Sequence, residues 1–291
     1  MTRRRIADDT CGIAQAAAVL GDWWSLLVVR EIARGHRRFD ELAAELAISR
    51  KVLTERLRHL TEAGVLFRRP YQTGPVRHEY LLTDRGRAFL PALVAMQDWA
   101  DQWLLGDGAL TATTEPSSAE AARVHALVGE GVPADLALPG ADGAPHDVVS
   151  PTARATVLFT YPGTGIPSPL PAGWSDIPGA VGCTLENRLF RDAWPAFREA
   201  DVAVRGVSTQ RPDEQAAFAA AEAVPFPLLS DQDLRLAAAL RLPTFRADQR
   251  LRLKRLVLVI GPDRTVRHAR YPVVDIPGAV EEALRLAGAP C

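Results

Sequence analysis

The sequence predicts two domains of different class: an α+β domain made of helices and one β-hairpin, then an α/β domain with a mixed sheet between helices. The length of 291 residues fits two domains of about 150 residues each. The hydrophobic pattern changes near residue 133, where helices and a hairpin give way to strands that alternate with helices. Formal charge changes as well, from +5 over residues 1–95 to −6 over the remainder. The basic half is therefore the one we expect to meet a polyanion.

Composition narrows the class of protein further. Hydrophobic residues make up 47% of the chain, which is enough for ordinary cores. The three cysteines form no CxxC pair, which argues against a disulfide framework and against a zinc site. No apolar stretch follows the basic residues 3–5, and no apolar run reaches the roughly 18 residues of a membrane span. We therefore expect a cytoplasmic protein in a reducing compartment, without a membrane partner.

Hydrophobic spacing predicts four helices and a hairpin in the first part of the chain. Ser49 is a good N-cap for the third helix, and Gly64 is a plausible residue to end it. This order of elements is that of a winged helix-turn-helix domain, for which we expect the bounds 1–105. The predicted helices span residues 12–34, 39–46, 50–63 and 84–105, and the hairpin strands span 65–71 and 76–82.

The third predicted helix carries polar residues where a recognition helix needs them. Arginine can pair with guanine, threonine can contact a base or a phosphate, and lysine mainly neutralises phosphate. In the hairpin, Arg68, Arg69 and Arg77 add positive charge beside the helix. A solvated basic helix is the alternative, but the coincidence of helix order, turn spacing and wing favours binding of double-stranded DNA. The candidate DNA contacts are Ser49, Arg50, Lys51, Thr54, Arg58, Arg68 and Arg77.

The last predicted helix of this domain has an apolar stripe that is too large for a solvated helix. Such a stripe is either part of the core or a dimer seam. Its members are Phe89, Leu93, Met96, Trp99 and Trp103.

These blocks resemble the HxlR-type regulators, a family of winged-helix proteins. The resemblance covers about residues 11–105 and is carried by Cys11 and by the blocks GDWWSLL (21–27), RFDEL (38–42), KVLTERL (51–57) and EYLLT (79–83). It implies a homodimer that binds a palindromic operator, with the first and last helices forming the dimer seam. In some relatives the N-terminal cysteine, here Cys11, senses electrophiles or oxidants. The alternative is that Cys11 only starts a helix and packs there.

Beyond residue 105 the sequence predicts a linker and then a thioredoxin-like sandwich. Residues 106–118 are rich in Gly, Thr, Ser and Ala, which is typical of a linker, and a short helix over 119–128 belongs to the linker 106–132. The domain over 133–291 alternates strands and helices and ends in a hairpin and a helix, which suits a mixed sheet between helices. The predicted strands are 156–161, 202–208, 256–260 and 266–271, and the predicted helices are 183–199, 212–223, 231–240 and 275–286.

Cys183 is the strongest candidate for chemistry because it begins one of these helices. Free N–H groups and the partial positive charge of a helix N-terminus stabilise a thiolate, so we expect the pKa of this thiol to be lowered. Peroxide reduction needs a thiolate, donors that orient the peroxide and a cation. Thr184 and the local backbone are the candidate donors, and Arg255 is the candidate cation, with Arg191 as second choice. An inert, packed cysteine is the alternative.

Residues 133–291 resemble the peroxiredoxins of the thioredoxin superfamily. The resemblance is carried by PGAVGCT (178–184), FRD (190–192), GVSTQ (206–210), PFPLLSD (225–231) and Arg255. It implies that Cys183 is the peroxidatic cysteine, that Arg255 is the arginine of the family, and that Pro178 is the loop proline.

Two departures from the peroxiredoxin pattern bear on activity. Peroxiredoxins have a threonine three residues before the cysteine, where this chain has Ala180. One hydroxyl that would orient the peroxide is therefore missing, unless the Thr184 hydroxyl takes its place. Many close relatives carry a resolving cysteine five residues after the first, and this chain has Arg188 at that position. Arg188 would instead place a cation about one turn from the thiol and favour the thiolate. A sulfenate at Cys183 would then need another thiol. The candidates are Cys291, Cys11 or an external thiol reductant.

Other cofactor chemistry is not predicted. The six histidines are spread along the chain without metal-ligand spacing, and no glycine-rich phosphate loop of the P-loop or Rossmann type occurs. We therefore expect neither a metal nor a cofactor.

Three functions remain open on the sequence. The leading hypothesis is a redox-responsive regulator that binds DNA as a dimer and senses or removes peroxide at Cys183. The second is a thiol peroxidase that is merely tethered to a DNA-binding domain. The third is a regulator whose redoxin domain is catalytically silent and serves dimerisation or ligand binding, since a fold does not imply a function.

Overall fold

A computed structural model describes residues 10–288 of the chain. The chain divides into two compact units, with the division after residue 93. Helices and one hairpin make up the first unit, and a mixed sheet with helices makes up the second, which confirms the predicted α+β and α/β classes. The first unit contains α1 (Gly12–Leu20), α2 (Trp23–Arg34), α3 (Phe39–Leu46), α4 (Arg50–Glu62), β1 (Leu66–Thr73), β2 (Val76–Leu82) and α5 (Asp84–Arg87).

The first predicted helix, 12–34, is two helices in the structure. The N–H of Gly21 donates to the Ala17 carbonyl at 2.8 Å and ends α1, and the Asp22 carboxylate accepts from the N–H of Ser25 at 3.2 Å and starts α2. An N-cap residue leaves the helical conformation, so its presence interrupts the chain of helical hydrogen bonds. Apolar spacing continues through both helices, which is why periodicity alone missed the break.

The helix-turn-helix and its wing follow the predicted order. Ser49 caps α4 by accepting the N–H of Val52 at 3.3 Å. The wing strands β1 and β2 pair antiparallel, and the N–H of Tyr80 donates to the Arg37 carbonyl at 2.8 Å, which ties the wing to the segment before α3. The buried face of α4 consists of Leu53, Leu57 and Leu60.

The last helix of the first half, predicted over 84–105, is also two helices. α5 ends at Arg87, and α6 spans Leu90–Trp103, so the division between the two units falls inside α6. Pro91 explains the break, because proline has no N–H to donate to the carbonyl of Arg87 and is tolerated only in the first turn of a helix.

The second unit is built on a five-stranded mixed sheet. Its strands are β3 (Ala137–Pro139), β4 (Pro145–Asp147), β5 (Ala155–Thr160), β6 (Val202–Ser208), β7 (Leu228–Ser230), β8 (Thr244–Ala247), β9 (Arg250–Leu253), β10 (Leu256–Ile260) and β11 (Val266–Arg270). The sheet has the order β11-β10-β5-β6-β7, in which β5, β6 and β7 are parallel and β10 is antiparallel to both of its neighbours. Its helices are α7 (Ala119–His125), α8 (Cys183–Glu199), α9 (Pro212–Glu222), α10 (Arg235–Leu240) and α11 (Ile276–Gly288).

The central strands β5 and β10 are buried along their whole length. Strands covered on both faces have continuous apolar runs rather than alternating ones, and this is the pattern of both segments. On the β5 side, Phe159 stacks on Phe190 of α8 with ring centroids 4.1 Å apart. This packing places the N-terminal turn of α8, with Cys183, against the core.

The helix predicted over 231–240 begins later, at Arg235. Leu234 is the N-cap residue of α10, and the Asp231 carboxylate, outside the helix, accepts the first-turn N–H groups of Leu236 and Ala237, each at 2.9 Å. The sequence analysis also missed the short strands, which are β3, β4, β7, β8 and β9.

Residues 111–113, which we call the strap, are fastened to the body of the second unit rather than running free as a linker. The N–H of Ala112 donates to the Pro178 carbonyl at 2.8 Å, and Lys254 Nζ donates to the Thr113 carbonyl at 3.3 Å. Ala112 is buried in a cluster with Trp174, Ala180 and Phe245. The predicted linker 106–132 therefore carries specific contacts to the loop before Cys183.

Among residues 10–288 no single helix is long and apolar enough to cross a membrane. Taken together α1 and α2 meet the length and composition, but they are bent by 75° where they join.

Candidate functional site

Cys183 is the first residue of α8, as the sequence predicts. The N-cap residue Gly182 has a φ of 105°, and a Cβ at this position would lie 2.7 Å from Ile276 Cδ1. The left-handed backbone therefore favours glycine, and a side chain here would also have to displace the end of the Ile276 side chain. The thiol itself is only 3% exposed. Its sulfur lies 3.5 Å from the Ala180 carbonyl, to which the thiol can donate.

Arg255 brings a buried guanidinium to the thiol. Its Nη2 lies 3.4 Å from Cys183 Sγ. The same side chain donates to the carbonyls of Gly179 and Val181, each at 3.0 Å, so it also holds the loop that leads into α8. The structure thus brings together the cysteine and the arginine that the sequence analysis selected.

Glu186 is a member of this site that the sequence analysis missed. Its carboxylate accepts from Arg255 Nε at 2.9 Å, and both side chains are almost completely buried. Glu186 follows Cys183 by three residues in the same helix, which places both on one face. That spacing was the available signal, since an acidic partner lowers the cost of burying an arginine.

The pKa of Cys183 contradicts the expectation of a lowered value. Burial raises the pKa of this thiol above its usual value, and the Glu186 charge also raises it. The Arg255 guanidinium and the backbone N–H of Gly163 act in the opposite direction but do not compensate. The sequence argument counted the helix N-terminus and the cations and had no way to count desolvation, which opposes every charged form.

Three other predicted neighbours of the thiol are not brought to it. The Thr184 hydroxyl makes no hydrogen bond with another described residue, so a donor role is not visible in its contacts. Arg188 points to α9, where its Nε and Nη2 bind the Glu222 carboxylate at 2.7 and 2.8 Å. Arg191 binds Asp192 and the Glu222 carbonyl. The expected help of Arg188 to the thiolate is therefore wrong, because the guanidinium is bound elsewhere.

Ala180, which stands where peroxiredoxins have threonine, is completely buried. It packs in the cluster that contains Ala112 of the strap. A Cβ at the neighbouring Gly179 would lie 2.7 Å from Thr113 Cβ, so strap and loop are in close contact. This packing explains why a glycine and an alanine occupy positions 179 and 180.

The candidate DNA contacts on α4 are all exposed. Arg50 donates to Asp40 Oδ1 at 2.9 Å, and its guanidinium lies 4.7 Å from the centroid of the Phe39 ring. Thr54 donates to the Arg50 carbonyl at 2.8 Å, one turn earlier in the helix. Arg58 Nε lies 3.9 Å from Glu62, with most of both side chains in solvent. Lys51 is exposed beside Arg50, and Ser49 is occupied as the cap of the helix.

The wing carries the other candidate DNA contacts. Arg68 on β1 and Arg77 on β2 are exposed. Arg69 is tied across the hairpin to Glu79 at 2.7 Å. Helix and wing therefore present exposed basic side chains within the first unit, as a phosphate-binding surface requires.

The remaining cysteines are placed differently. Cys11 is the N-cap residue of α1 and is partly exposed. Cys291, the candidate resolving residue at the end of the chain, lies outside the described residues.

A possible ligand set for a metal occurs in the first unit, at Glu31, His36 and Glu45. One ligand atom from each lies within 4.8 Å of the others. Glu31 Oε2 is already 2.6 Å from Arg34 Nη1, and Glu31 Oε1 is 2.6 Å from Arg30 Nη2. Two guanidinium groups thus hold the position that a cation would take, which fits an ion-pair network better than a metal site.

Comparison with protein families places these two sites in known classes. The HxlR-like helix-turn-helix model matches residues 19–107, and the AhpC/TSA family model matches residues 178–269. The protein therefore combines the DNA-binding domain of a transcription regulator with a peroxiredoxin-like domain.

Curated relatives match the first part of the chain. An HTH-type transcriptional regulator of Mycobacterium bovis is 44% identical over 92 residues, which are 32% of this chain and 58% of the relative. YvaP of Bacillus subtilis is 40% identical over 91 residues, 31% of this chain and 84% of the relative. The HTH-type transcriptional regulator YodB of the same organism is 35% identical over 89 residues, 30% and 80% respectively. The chain belongs to the HxlR-like helix-turn-helix family, and it spans 58% of the length of the mycobacterial relative.

Solved structures match the second part. Peroxidoxin BcpB from Mycobacterium tuberculosis is 29% identical with a TM-score of 0.46, and the match covers 55% of this chain and 95% of that one. A structure of Xanthomonas campestris peroxiredoxin Q is 24% identical with a TM-score of 0.43, covering 53% and 89%.

Proposed function

We propose that the protein is a redox-responsive transcription regulator of the cytoplasm. It binds a palindromic operator as a homodimer through α4 and the wing, and its second unit senses or reduces peroxides at Cys183. The observation that carries the proposal is the 3.4 Å approach of Arg255 to the Cys183 sulfur at the start of α8. A cation held against a thiol at a helix N-terminus suits nucleophilic attack by sulfur.

The chemical step is the oxidation of Cys183 by a peroxide. The thiolate sulfur attacks one peroxide oxygen, so an S–O bond forms while the O–O bond breaks. The leaving alkoxide or hydroxide takes up a proton and departs as alcohol or water, and the sulfur is left as sulfenic acid. Arg255 stabilises the negative charge while it moves from sulfur to oxygen. A thiol reductant then returns the sulfur to its reduced state.

Peroxide consumption tests this step. Reduced protein should consume about one equivalent of hydrogen peroxide or an alkyl hydroperoxide, and mass spectrometry should find the modification at Cys183 first. Cys183→Ser should lose the consumption, whereas Cys11→Ser should keep it. Oxidation of Cys11 ahead of Cys183 would move the sensor to the first unit.

Operator binding tests the DNA-binding half. Affinity for duplex DNA should fall steeply with salt, because basic side chains displace counterions from phosphate. Arg50→Glu and Lys51→Glu should each weaken operator binding by at least about tenfold, in line with roughly 1–3 kcal/mol for a good base contact. Arg198→Glu, an equal charge change at an exposed residue of α8, is the control and should leave affinity unchanged. Unchanged operator affinity in both α4 variants would remove the recognition-helix assignment.

The strap supports a regulator rather than an enzyme that is only tethered to DNA. Arg255 contacts the Cys183 sulfur and the Gly179 carbonyl, and the adjacent Pro178 carbonyl accepts from Ala112 of the strap. Oxidation of the Cys183 sulfur would therefore be felt by Arg255, by the loop at residues 178–179 and by the strap, which continues from α6. Operator affinity should differ between reduced and peroxide-treated protein, and Cys183→Ser should abolish that difference. Equal affinity in both states, with peroxide still consumed, would favour the tethered peroxidase.

A catalytically silent redoxin domain is the second candidate, and the burial of Cys183 favours it. The thiol is 3% exposed, and burial raises its pKa, both of which slow attack on a peroxide. In this case reduced protein would consume peroxide no faster than free cysteine.

A further inference from the structure

Arg252, on β9, is a buried cation that forms no ion pair with a carboxylate among the described residues. Its side chain belongs to the buried set at 7% exposure, and it forms no ion pair within residues 10–288. Its neighbours Lys254 and Arg255 are equally buried, but each binds a carboxylate, of Glu120 and Glu186 respectively. Burying an unpaired charge is costly, so proteins keep one mainly where it has a task.

The contacts of Arg252 hold the guanidinium in place without neutralising it. Nη1 donates to the Pro162 carbonyl at 3.3 Å. The guanidinium carbon lies 4.9 Å from the centroid of the Trp174 ring, within the range of a cation–π contact. Nε is buried and makes no hydrogen bond. The positive charge is thus oriented by a carbonyl and an aromatic face and remains available to an anion.

The loop that Arg252 contacts leads directly to the thiol. Pro162 is followed by Gly163, whose backbone N–H acts to lower the pKa of Cys183. A Cβ at Gly163 would lie 2.8 Å from Arg252 Nη1, so the guanidinium is packed against this residue. Burial and the Arg250 charge lower the pKa of Arg252, and negative charges on Asp248, Cys183 and Glu214 raise it.

We propose that Arg252 is a positioning residue for the anionic forms of Cys183. It holds the Pro162 carbonyl and packs against Gly163, and its positive charge stabilises a thiolate or sulfenate at Cys183. Arg255 is ion-paired with Glu186, whereas Arg252 forms no ion pair with a carboxylate among the described residues and acts as a second cation of the site. This inference rests on the proposed chemistry at Cys183, since only an ionising sulfur makes use of such a charge.

Ionisation of the thiol, read from the pH dependence of alkylation, tests the proposal. The full-length protein carries Cys11→Ser and Cys291→Ser so that only Cys183 reacts with iodoacetamide, and the midpoint of the rate profile is measured. Access to the buried sulfur changes the plateau rate but not this midpoint. Arg252→Met keeps the length of the side chain and removes the charge, and it should shift the midpoint upward by about half to one pH unit. Arg252→Lys should restore most of the shift.

Two comparisons separate positioning from a purely structural role. Arg250→Gln removes an exposed arginine from the same strand and should leave the midpoint unchanged. Arg252→Met should also melt at or above the wild-type temperature, because a buried unpaired charge is removed. A midpoint in Arg252→Met equal to that of Arg250→Gln would overturn the proposal. Should Arg252→Met fail to fold, Arg252→Gln against Arg252→Lys gives the same comparison.

The proposed function and this inference can fail separately. A wild-type protein that consumes peroxide no faster than free cysteine would end the peroxide function. An upward shift in Arg252→Met in that same protein would still support the role of Arg252 in ionising the sulfur.

Discussion

The pKa of Cys183 depends on two buried charged side chains beside the thiol, those of Arg255 and Glu186. Arg255 stabilises the thiolate, but its partner Glu186 carries the opposite charge and opposes ionisation of the sulfur. Arg255 keeps two carbonyl contacts besides that carboxylate, so it can remain in place without it. Glu186 therefore limits the reactivity of the thiol while it anchors the arginine.

Glu186→Gln should lower the pKa of Cys183, because it removes a negative charge next to the sulfur. The alkylation midpoint of Cys183 should move to lower pH in the background that lacks Cys11 and Cys291. Glu199→Gln, an exposed change at the other end of α8, should have no effect. An upward shift in Glu186→Gln would mean that orientation of Arg255 by the carboxylate outweighs its charge.

The same carboxylate should make stability depend on pH. Burial raises the pKa of Glu186 to about 7, although Arg255 acts to lower it. A folded-state pKa above the unfolded value of about 4.3 means that the native protein binds more protons between these values. The contribution to stability is therefore fully present below about pH 4 and is lost as pH rises to about 7. Denaturant unfolding of Glu186→Gln against pH should show a shallower decline over this window than wild type. A decline as steep as in wild type would assign it to other groups.

At the scale of elements, the strap joins the loop before Cys183 to the chain that continues from α6. Ala112 is 2% exposed and lies in the same cluster as Ala180. Its N–H also donates to Pro178 at the start of that loop. We expect the two segments to open together because each supplies part of the packing of the other.

Ala112→Glu should release both segments at once. A buried, unpaired carboxylate costs on the order of 3 kcal/mol at such a position. Amide hydrogen exchange should then accelerate over residues 110–114 and also over residues 178–182. Ala109→Glu introduces the same charge at an exposed neighbouring position and is the matched control. Faster exchange in the strap alone would show that the loop is held independently.

Elements with strong local signals were predicted closely, and those set by tertiary contacts were not. The bounds 183–199 and 202–208 match α8 and β6 because an apolar periodicity and a clear start signal coincide in each. The breaks at Gly21–Asp22 and before Pro91 were missed because apolar spacing continues through both. Short strands such as β8 and β9 exist through pairing with each other, which no local pattern reveals.

The candidate site was predicted in the same uneven way. Cys183 and Arg255 are marked by a helix start and a strand start, and the structure brings them together. Glu186 and Arg252 stand among many charged residues in the sequence, and only their burial distinguishes them. Burial also reverses the expected direction of the thiol pKa, because desolvation is a property of the folded chain.

At the scale of the whole molecule, the apolar stripe of α6 supports the proposed homodimer. Met96, Trp99 and Trp103 are 50%, 55% and 59% exposed, and their spacing places them on one face of the helix. Isolated exposed apolar residues are ordinary, but three large ones on a single helix face form a patch that is typical of an interface. A symmetric dimer also matches the two half-sites of a palindromic operator.

Trp99→Glu should therefore convert a dimer into a monomer. Sedimentation velocity at micromolar concentration should give a dimer for wild type and about half that mass for the variant. Val128→Glu, at an exposed apolar residue outside α6, should remain dimeric. A wild-type protein that sediments as a monomer would contradict the dimer seam.

The deep burial of Cys183 has a consequence for how long a signal would last. Cys183 is only 3% exposed, so under the proposed function we expect a protein reductant to reach the sulfur more slowly than a small peroxide does. Arg188, bound to Glu222, occupies the position from which a neighbouring cysteine would attack the sulfenate. The rate at which peroxide oxidises Cys183 and the rate at which a reductant removes the sulfenate would then be set independently. Under the proposed function, the protein would stay oxidised after a brief oxidant pulse and would report exposure accumulated over time, rather than the peroxide concentration of the moment.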